Sequence, residues 1–385
     1  MKRIAVVTGS RAEYGLLKPL IVALQRDNAF ELKLLVTGMH LLPKFGNTFK
    51  QIEADGIKID YKVEDYLDGD SAKDITNAVA HAMMGFASVF KTLSPDMLLV
   101  LGDRSEIFAA ASAAMIASIP IAHIHGGEVT EGAYDEFIRH AITKMSHLHF
   151  ASTETYRNRI VQLGEHPSRV FNVGAIGIDS IVSLELLGKN DFEKSISKQL
   201  DKKSILITYH PVTLENNTAK KHFQALLDAI DSLSETTLIF TKPNADKGGR
   251  IISKMIDEYV SINADKAVSF TSLGQLRYLS ALKHVSFVIG NSSSGILEVP
   301  YFNIPTVNIG DRQRGRVSPY SVINSKPEFD CIVEAIKKAG DKNFLTKIKS
   351  QENLYGSGNT TAKIVSALKA FDILKIKKSF YDINI

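Results

Sequence analysis

The stretch Arg3–Gly38, RIAVVTGSRAEYGLLKPLIVALQRDNAFELKLLVTG, holds two short β-branched runs, each closing on Thr-Gly, with an amphipathic segment between them. An apolar run of four to eight residues bounded by turn residues reads as a buried strand, and a longer run with helical spacing reads as a helix. The spacing predicts a strand over RIAVVTG, a helix near Tyr14–Arg26, a strand over ELKLLVTG and a helix near Thr48–Ala54. Strands that alternate with helices imply a parallel sheet with crossover helices. The alternation continues through DMLLVLGD, IPIAHIHGG, HLHFAST and RVFNVGA, then meets a polar stretch at Leu187–Lys203. A second series follows in SILITYHP, TLIFTKPN, KAVSFTS, SFVIGNSSSG and IPTVNIGD. The expected architecture is α/β, with two Rossmann-like doubly wound domains over residues 1–186 and 187–385. The final helix, near Thr361–Leu374, can pack on either.

A chain of 385 residues exceeds the usual size of one hydrophobic core, in keeping with two domains. With 44% hydrophobic and 23% charged residues the composition is that of an ordinary globular protein. The single cysteine, Cys331, excludes an internal disulfide and a cysteine-cluster zinc site, and cytoplasm is the expected location. The opening MKRIAVVTGSR has only a four-residue apolar run, far short of a signal-peptide core, so no export signal is expected. The most apolar long window, Phe108–Ile124, contains serines and Pro120 and reads as a buried helix followed by a strand. A net charge of +4 from scattered lysines does not suit a nucleic-acid binder, and no membrane partner is expected.

In open parallel sheets ligands bind beyond the carboxyl ends of strands, so the residues that follow each apolar run carry the functional reading. After the first strand, TGSRAEYG sets Arg11 near a helix start, suited to an anion; a capping turn with a solvated arginine is the plainer account. LLVLGDRSEIF places Asp103 and Arg104 directly after Gly102, where a helix-capping aspartate with a local ion pair is equally compatible. FVIGNSSSGILEVP is strand, glycine, hydroxyls, glycine and helix: Ser292, Ser293, Ser294 and backbone amides at that helix start would cradle a diphosphate. Without a P-loop ending or G-x-G-x-x-G, neither ATP hydrolysis nor a nicotinamide cofactor is favoured, which leaves a nucleotide-sugar diphosphate. In TVNIGDRQRGR, Arg312 is the arginine expected to fork onto phosphate oxygens, with Arg314 and Arg316 close by. His210 and Asn244 end other strands of the second series.

Ile121–Phe150 gathers five of the eleven histidines, four carboxylates and Arg139. His123 and His125 lie two apart on a strand and share a face, which is compatible with zinc, but no third ligand has a recognised spacing and no metal is expected. On the following helix Asp135, Arg139 and either Glu136 or His140 share a face, so an ion pair there would orient a carboxylate. His147 and His149 read as structural.

The blocks VTGSRAEYG, LVTGMH, LGDR, HIHGGE, YDEFIRHAITKMSHLHF, IGNSSSG, EVP and IGDRQRGR span most of the chain in order. Together they resemble the hydrolysing UDP-N-acetylglucosamine 2-epimerases of sialic-acid biosynthesis and their relatives for bacterial nine-carbon sugars such as legionaminic acid. The resemblance implies a glycosyltransferase-B arrangement of the two domains, with the active site in the cleft between them and a homodimer or homotetramer as the assembly. It implies nucleotide binding by Arg11, Asn244, Ser292, Ser293, Glu298 and Arg312, with Arg104 and His210 also on family motifs. Its acid/base positions match Asp103, Asp135 and His210. Where some relatives carry HIEGGE this chain has His125, which leaves Glu128 as the carboxylate of that block.

The chemistry implied is removal of the C2 proton as the diphosphate leaves C1, giving a 2-acetamidoglucal, followed by hydration to N-acetylmannosamine and free UDP. Both steps need placed acids and bases, and the departing diphosphate needs cations; no cofactor is required. The same reaction on UDP-N,N'-diacetylbacillosamine or GDP-N-acetylglucosamine remains open, because the base and the C4 and C6 pockets have no separable motif. A glycosyltransferase of the same fold is the more distant alternative, and a silent nucleotide-sugar sensor is disfavoured by Asp103, Glu128, Asp135 and His210 occurring together.

Overall fold

The computed structural model describes residues 1–66, 69, 71–131, 134–212, 218–243, 249–374 and 376–383. They form two compact units, the first made of 1–128, 134–180 and 355–385, the second of 129–133 and 181–354.

In the first unit the strands are β1 (Lys2–Thr8), β2 (Phe30–Thr37), β3 (Tyr61–Val63), β4 (Met97–Leu101), β5 (Ile121–Ile124), β6 (Leu148–Ala151) and β7 (Val170–Asn172). They form one sheet in the order β3-β2-β1-β4-β5-β6-β7, and every pairing is parallel. The helices among them are α1 (Arg11–Arg26), α2 (Phe49–Ala54), α3 (Ala72–Leu93), α4 (Ser105–Ile116), α5 (Asp135–Met145) and α6 (Glu154–Gln162). Strand β1 shows why the strands read as unbroken apolar runs. Ile4 and Val6 enter one buried cluster with Leu17, Leu20 and Leu24 of α1; Ala5 and Val7 enter another with Phe86 and Phe90 of α3 and Ile107 of α4. A strand covered on both faces needs apolar side chains at every position. Helix α1 begins where Ser10 accepts a hydrogen bond from the Glu13 amide, a side-chain cap, and so starts three residues before the sequence expectation.

Helix α7 (Ile176–Ser183) carries the chain into the second unit. There β8 (Lys203–Thr208), β9 (Thr236–Thr241), β10 (Ala267–Phe270), β11 (Phe287–Gly290), β12 (Thr306–Ile309) and β13 (Val322–Ser325) pair in the order β10-β9-β8-β11-β12-β13, again all parallel. Its helices are α8 (Lys189–Ile196), α9 (Ala219–Asp231), α10 (Gly249–Ile262), α11 (Gly274–His284), the four-residue α12 (Ser294–Leu297), α13 (Phe329–Ala339) and α14 (Lys342–Lys349). Phe223, Leu226 and Ile230 of α9 pack on Ile205, Ile207, Leu238 and Phe240 of the sheet. Both sheets reverse direction of winding once, between β1 and β4 and between β8 and β11, the point at which doubly wound folds leave a crevice.

The short strands β3 and β13 were not anticipated. Phe108–Ile124 comprises most of α4 followed by β5, and among the described residues no helix is long and apolar enough to cross a membrane. The last helix, α15 (Thr360–Ala370), belongs to the first unit, whereas the sequence reading assigned 187–385 to the second and allowed this helix to pack on either. Its Ile364 and Leu368 are buried in the cluster that holds β1 and α1. Asp179 accepts hydrogen bonds from the Thr360 and Thr361 amides at 2.9 and 2.5 Å. At the other end Lys2 Nζ donates to the carbonyls of Leu368, Lys369 and Phe371 at 2.9, 2.7 and 2.6 Å. A carboxylate at the first turn and an ammonium at the last both complement the helix dipole. Ile364→Ala should therefore destabilise the first unit by about 2–5 kcal/mol, the range for truncating a buried isoleucine; chemical denaturation monitored by circular dichroism measures it, and a loss under about 1 kcal/mol would mean that α15 is not part of that core.

Candidate active site

In the first unit the polar residues collect beyond β1, β4 and β5, around Arg139. Its side chain is 2% exposed, and a buried guanidinium needs all its donors and its charge answered. Nε donates to Asp103 Oδ2 at 2.8 Å and Nη2 to the same oxygen; Nη1 donates to Glu136 Oε2 and to the Glu128 carbonyl, each at 2.7 Å. One α5 side chain thus fixes the carboxylate after β4, a carboxylate of its own helix and the loop after β5. His140 pairs with the second oxygen of Glu136 at 2.9 Å. Where the sequence offered Glu136 or His140 as the partner on this face, Glu136 is the carboxylate that Arg139 holds and His140 backs it.

Beside it, His125 and Glu128 form a second pair. His125 sits in the left-handed region at φ 64, which turns its ring toward Glu128, with Nδ1 3.3 Å from Oε1. The Ile176 amide donates to His125 Nε2 at 3.2 Å. An amide only donates, so Nε2 is the bare nitrogen and the ring proton lies on Nδ1, toward the carboxylate. Ser152 Oγ donates to the same Glu128 oxygen at 2.8 Å.

His123 has a different role. Its Nε2 donates to the Gly102 carbonyl at 2.8 Å and Nδ1 meets the Thr143 hydroxyl at 3.2 Å, while burial first of all pushes its pKa down to about 3. The ring is a neutral strut under the Asp103 turn. His125 lies one residue beyond the end of β5, so it does not share a strand face with His123 as the spacing suggested, and both nitrogens of each ring are engaged by protein groups; among the described residues no group of three or more His, Cys, Asp or Glu side chains is placed to hold a metal ion.

Arg11 is the exposed first residue of α1, and Asp135 the partly buried first residue of α5. Arg104 precedes α4, with Nε 2.5 Å from Glu106 Oε1, and the Glu106 charge holds its pKa above the usual arginine value against burial. Two buried glutamates that the sequence reading did not single out underlie this corner. Glu106 lies so close to Gly9 that a Cβ there would sit 2.3 Å from its Oε1. Glu13, 6% exposed, accepts from the Gly9 amide at 2.7 Å, and burial pushes its pKa up to about 8. The turn bearing Arg11 therefore rests on a carboxyl that is mostly neutral at pH 7.

In the second unit His210 follows β8. Its ring is buried, Nδ1 meets no partner among the described residues, and burial, with the neighbouring Arg312 charge, lowers its pKa to about 3. Asn291, directly after β11, was passed over in the sequence in favour of the serines that follow it, yet it bonds both backbone groups of His210. Ser292 and Ser294 hydroxyls are 3.1 Å apart, and Ser294 meets Tyr278 Oη at 2.5 Å. Ser293 leads into α12, which ends after one turn and passes into a 3-10 turn at Val299–Phe302, because Pro300 lacks the amide that would continue it. The expected helix is present but only one turn long, so hydroxyls and amides at its start make this polar edge. Glu298 follows α12, its pKa pushed up to about 7 by burial. Arg312 Nη1 and Gln313 Nε2 both donate to the Asn291 carbonyl, at 3.1 and 3.0 Å. Arg314 pairs with Glu131 at 3.4 Å and Arg316 reaches Thr130 at 3.5 Å. Asn244 lies outside the described residues.

Residues 22–369 match the model of the UDP-N-acetylglucosamine 2-epimerase family, and the chain belongs to that family. It is 42% identical over 343 residues to the GDP/UDP-N,N'-diacetylbacillosamine 2-epimerase (hydrolyzing) of Campylobacter jejuni, covering 89% of this chain and 88% of that protein. It is 40% identical to polysialic acid biosynthesis protein P7 of Escherichia coli, across 100% of this chain and 98% of that one. Among solved structures, UDP-GlcNAc 2-epimerase from Neisseria meningitidis bound to UDP-GlcNAc has the same fold, with a TM-score of 0.82 at 22% identity over 95% of this chain and 99% of that one.

Breaking a buried pair leaves its partner charge uncompensated. Arg139→Met should cost about 3–5 kcal/mol of stability, since Asp103 and Glu136 would face each other without their cation. Urea denaturation of the two proteins checks this, and a difference below about 1 kcal/mol would show that other groups compensate the carboxylates.

Proposed function

We propose that the protein is a hydrolysing 2-epimerase that takes UDP-N,N'-diacetylbacillosamine and water to UDP and the free 2-epimeric 2,4-diacetamido sugar. The observation that carries the reaction class is the pair of carboxylates, Asp103 held by Arg139 and Glu128 held by Ser152 and His125, in a chain of this family. Carboxylates fixed by buried donors keep their geometry through two proton transfers, as elimination across C1–C2 and rehydration require. The choice of sugar is supported by the Campylobacter relative, the more similar of the two curated relatives above.

The work divides between the units. The first unit supplies acid/base groups: Asp103, Glu128 and Asp135 exchange protons with the sugar, His125 donates to Glu128 and tunes it, and Arg139 fixes Asp103. The second unit binds the nucleotide through Ser292, Ser293, Ser294, Glu298, Arg312 and Asn244, and presents His210 as a neutral imidazole, its protonation disfavoured by burial and by Arg312. Arg11 and Arg104 add cationic charge for the leaving diphosphate. Free UDP leaves with no metal or redox group consumed. The reading goes with a cytoplasmic homodimer or homotetramer.

A second reading keeps the reaction and changes the sugar: UDP-N-acetylglucosamine to N-acetylmannosamine. It is favoured by the full-length similarity to the E. coli polysialic acid protein. Turnover of UDP-N,N'-diacetylbacillosamine, UDP-N-acetylglucosamine and GDP-N-acetylglucosamine in deuterated water, followed by proton NMR, separates these. The expected product carries deuterium at C2 in the manno configuration, with the highest kcat/KM on the diacetamido donor. An unlabelled C2 in the gluco configuration, as a transferase or simple hydrolase leaves it, would sink the epimerase reading; higher kcat/KM on UDP-N-acetylglucosamine would move the substrate to the second. Asp103→Asn should lower kcat by about 10²-fold or more while UDP still binds.

Arg312→Ala removes the guanidinium assigned to the diphosphate. UDP affinity by calorimetry should fall by about 1.5–3 kcal/mol, the worth of a charged hydrogen bond. Unchanged affinity would take Arg312 out of the nucleotide site.

A further inference from the structure

Strand β8 ends at Thr208, and two residues later His210 precedes Pro211, which has no amide to pair. A loop of that kind leaves a ring free to wander unless something else fixes its backbone. Asn291 does so. Its amide extends the β8–β11 ladder by donating to the Thr208 carbonyl at 3.1 Å. Its side-chain Oδ1 accepts from the His210 amide at 2.7 Å and its Nδ2 donates to the His210 carbonyl at 2.8 Å, so the carboxamide acts as one more strand residue beside His210. Its own carbonyl spends both lone pairs on Arg312 and Gln313, the two residues after Asp311 in the loop beyond β12. One side chain and one peptide, 1% exposed, thus join the ends of β8, β11 and β12. The approach is close enough that a Cβ on the preceding Gly290, at φ 145, would lie 1.9 Å from the Thr208 carbonyl oxygen.

We infer that Asn291 is the positioning residue of the second unit: it sets the His210 imidazole by clamping its backbone and ties that placement to Arg312. The inference rests on the functional reading above, in which His210 and Arg312 act on the nucleotide sugar. No side-chain bond at Nδ1 holds the imidazole among the described residues, which leaves the clamped backbone as the hydrogen-bonded point from which the ring projects. Aspartate at 291 has the same shape and still accepts from the His210 amide, but sets an oxygen against the His210 carbonyl where a donor belongs. Arg312 keeps its acceptor in either variant, because that acceptor is main chain.

The test is a double-mutant cycle on the full chain, with the donor that the wild-type enzyme turns over. Asn291→Asp and Asn291→Ala should lower kcat by about tenfold or more, the scale of losing one or two hydrogen bonds to a buried group, with UDP affinity by calorimetry within about threefold. In a His210→Ala background the same substitutions should change residual kcat by less than about twofold, because residues that act as a unit are not additive. A merely structural role predicts equal losses in both backgrounds, and that result overturns the inference, as does wild-type kcat in Asn291→Asp or in His210→Ala. If Asn291→Ala fails to fold, Asn291→Asp, with its melting temperature measured alongside, decides alone. Wild-type enzyme that turns over none of the donors defeats the functional reading instead, so the two failures are distinguishable.

Discussion

A parallel sheet covered on both faces leaves little place for a charge in the later part of its strands: β1 and β2 carry Lys2, Arg3, Glu31 and Lys33 in their first halves, and further polar groups gather where the strands stop. Both units obey this constraint. Val6, Leu99 and Ala122 are fully buried in β1, β4 and β5, and only beyond those strands come Arg11, Asp103 and Glu128. The second sheet repeats the pattern with Ile207, Ile289 and Val307 leading to His210, Asn291 and Arg312. The chemistry of each unit is collected at one edge because the apolar core leaves it nowhere else.

What happens at those edges is mostly an economy of buried polar groups. Arg139 is tolerable inside because two carboxylates and a carbonyl surround it, and the same contacts hold Asp103 in one orientation. Glu13 takes the other solution: burial, helped by the nearby Glu106, outweighs the Gly9 amide hydrogen bond that favours the carboxylate, and it gives up its charge near neutral pH. The histidines differ in the same way. His123 is locked by two hydrogen bonds as a strut, whereas His210 keeps a buried nitrogen without a partner among the described residues.

How much of this was legible depended on whether the signal was local. Strand runs closing on glycine announced both sheets, and LGDR and HIHGGE placed Asp103 and Glu128 beyond β4 and β5, because a polar residue directly after an apolar run is visible at short range. Helix spacing placed Arg139 beside a carboxylate but left Glu136 and His140 as alternatives, since both lie within a turn of it; only the packing shows that Arg139 holds Glu136 and His140 its other oxygen. Glu13 and Glu106 were missed because nothing in one sequence marks a glutamate as buried. Asn291 was missed because its partners lie 81 residues earlier in the chain and 21 and 22 later. Pro300 was in plain view and its shortening of α12 was legible in principle.

The return of α15 to the first unit makes the second unit, apart from residues 129–133, an insertion, with residues 181–354 emerging in one uninterrupted run. During synthesis, which proceeds from the N-terminus, the later-made unit has all its strands before the earlier-made one has all its core. Until Ile364 and Leu368 leave the ribosome, the surface of β1 and α1 that they cover is open to water and to other apolar chains. The nascent first domain thus carries an uncovered apolar strip for as long as it takes to translate an entire second domain, and the order in which the units are made is the reverse of the order in which they can be finished.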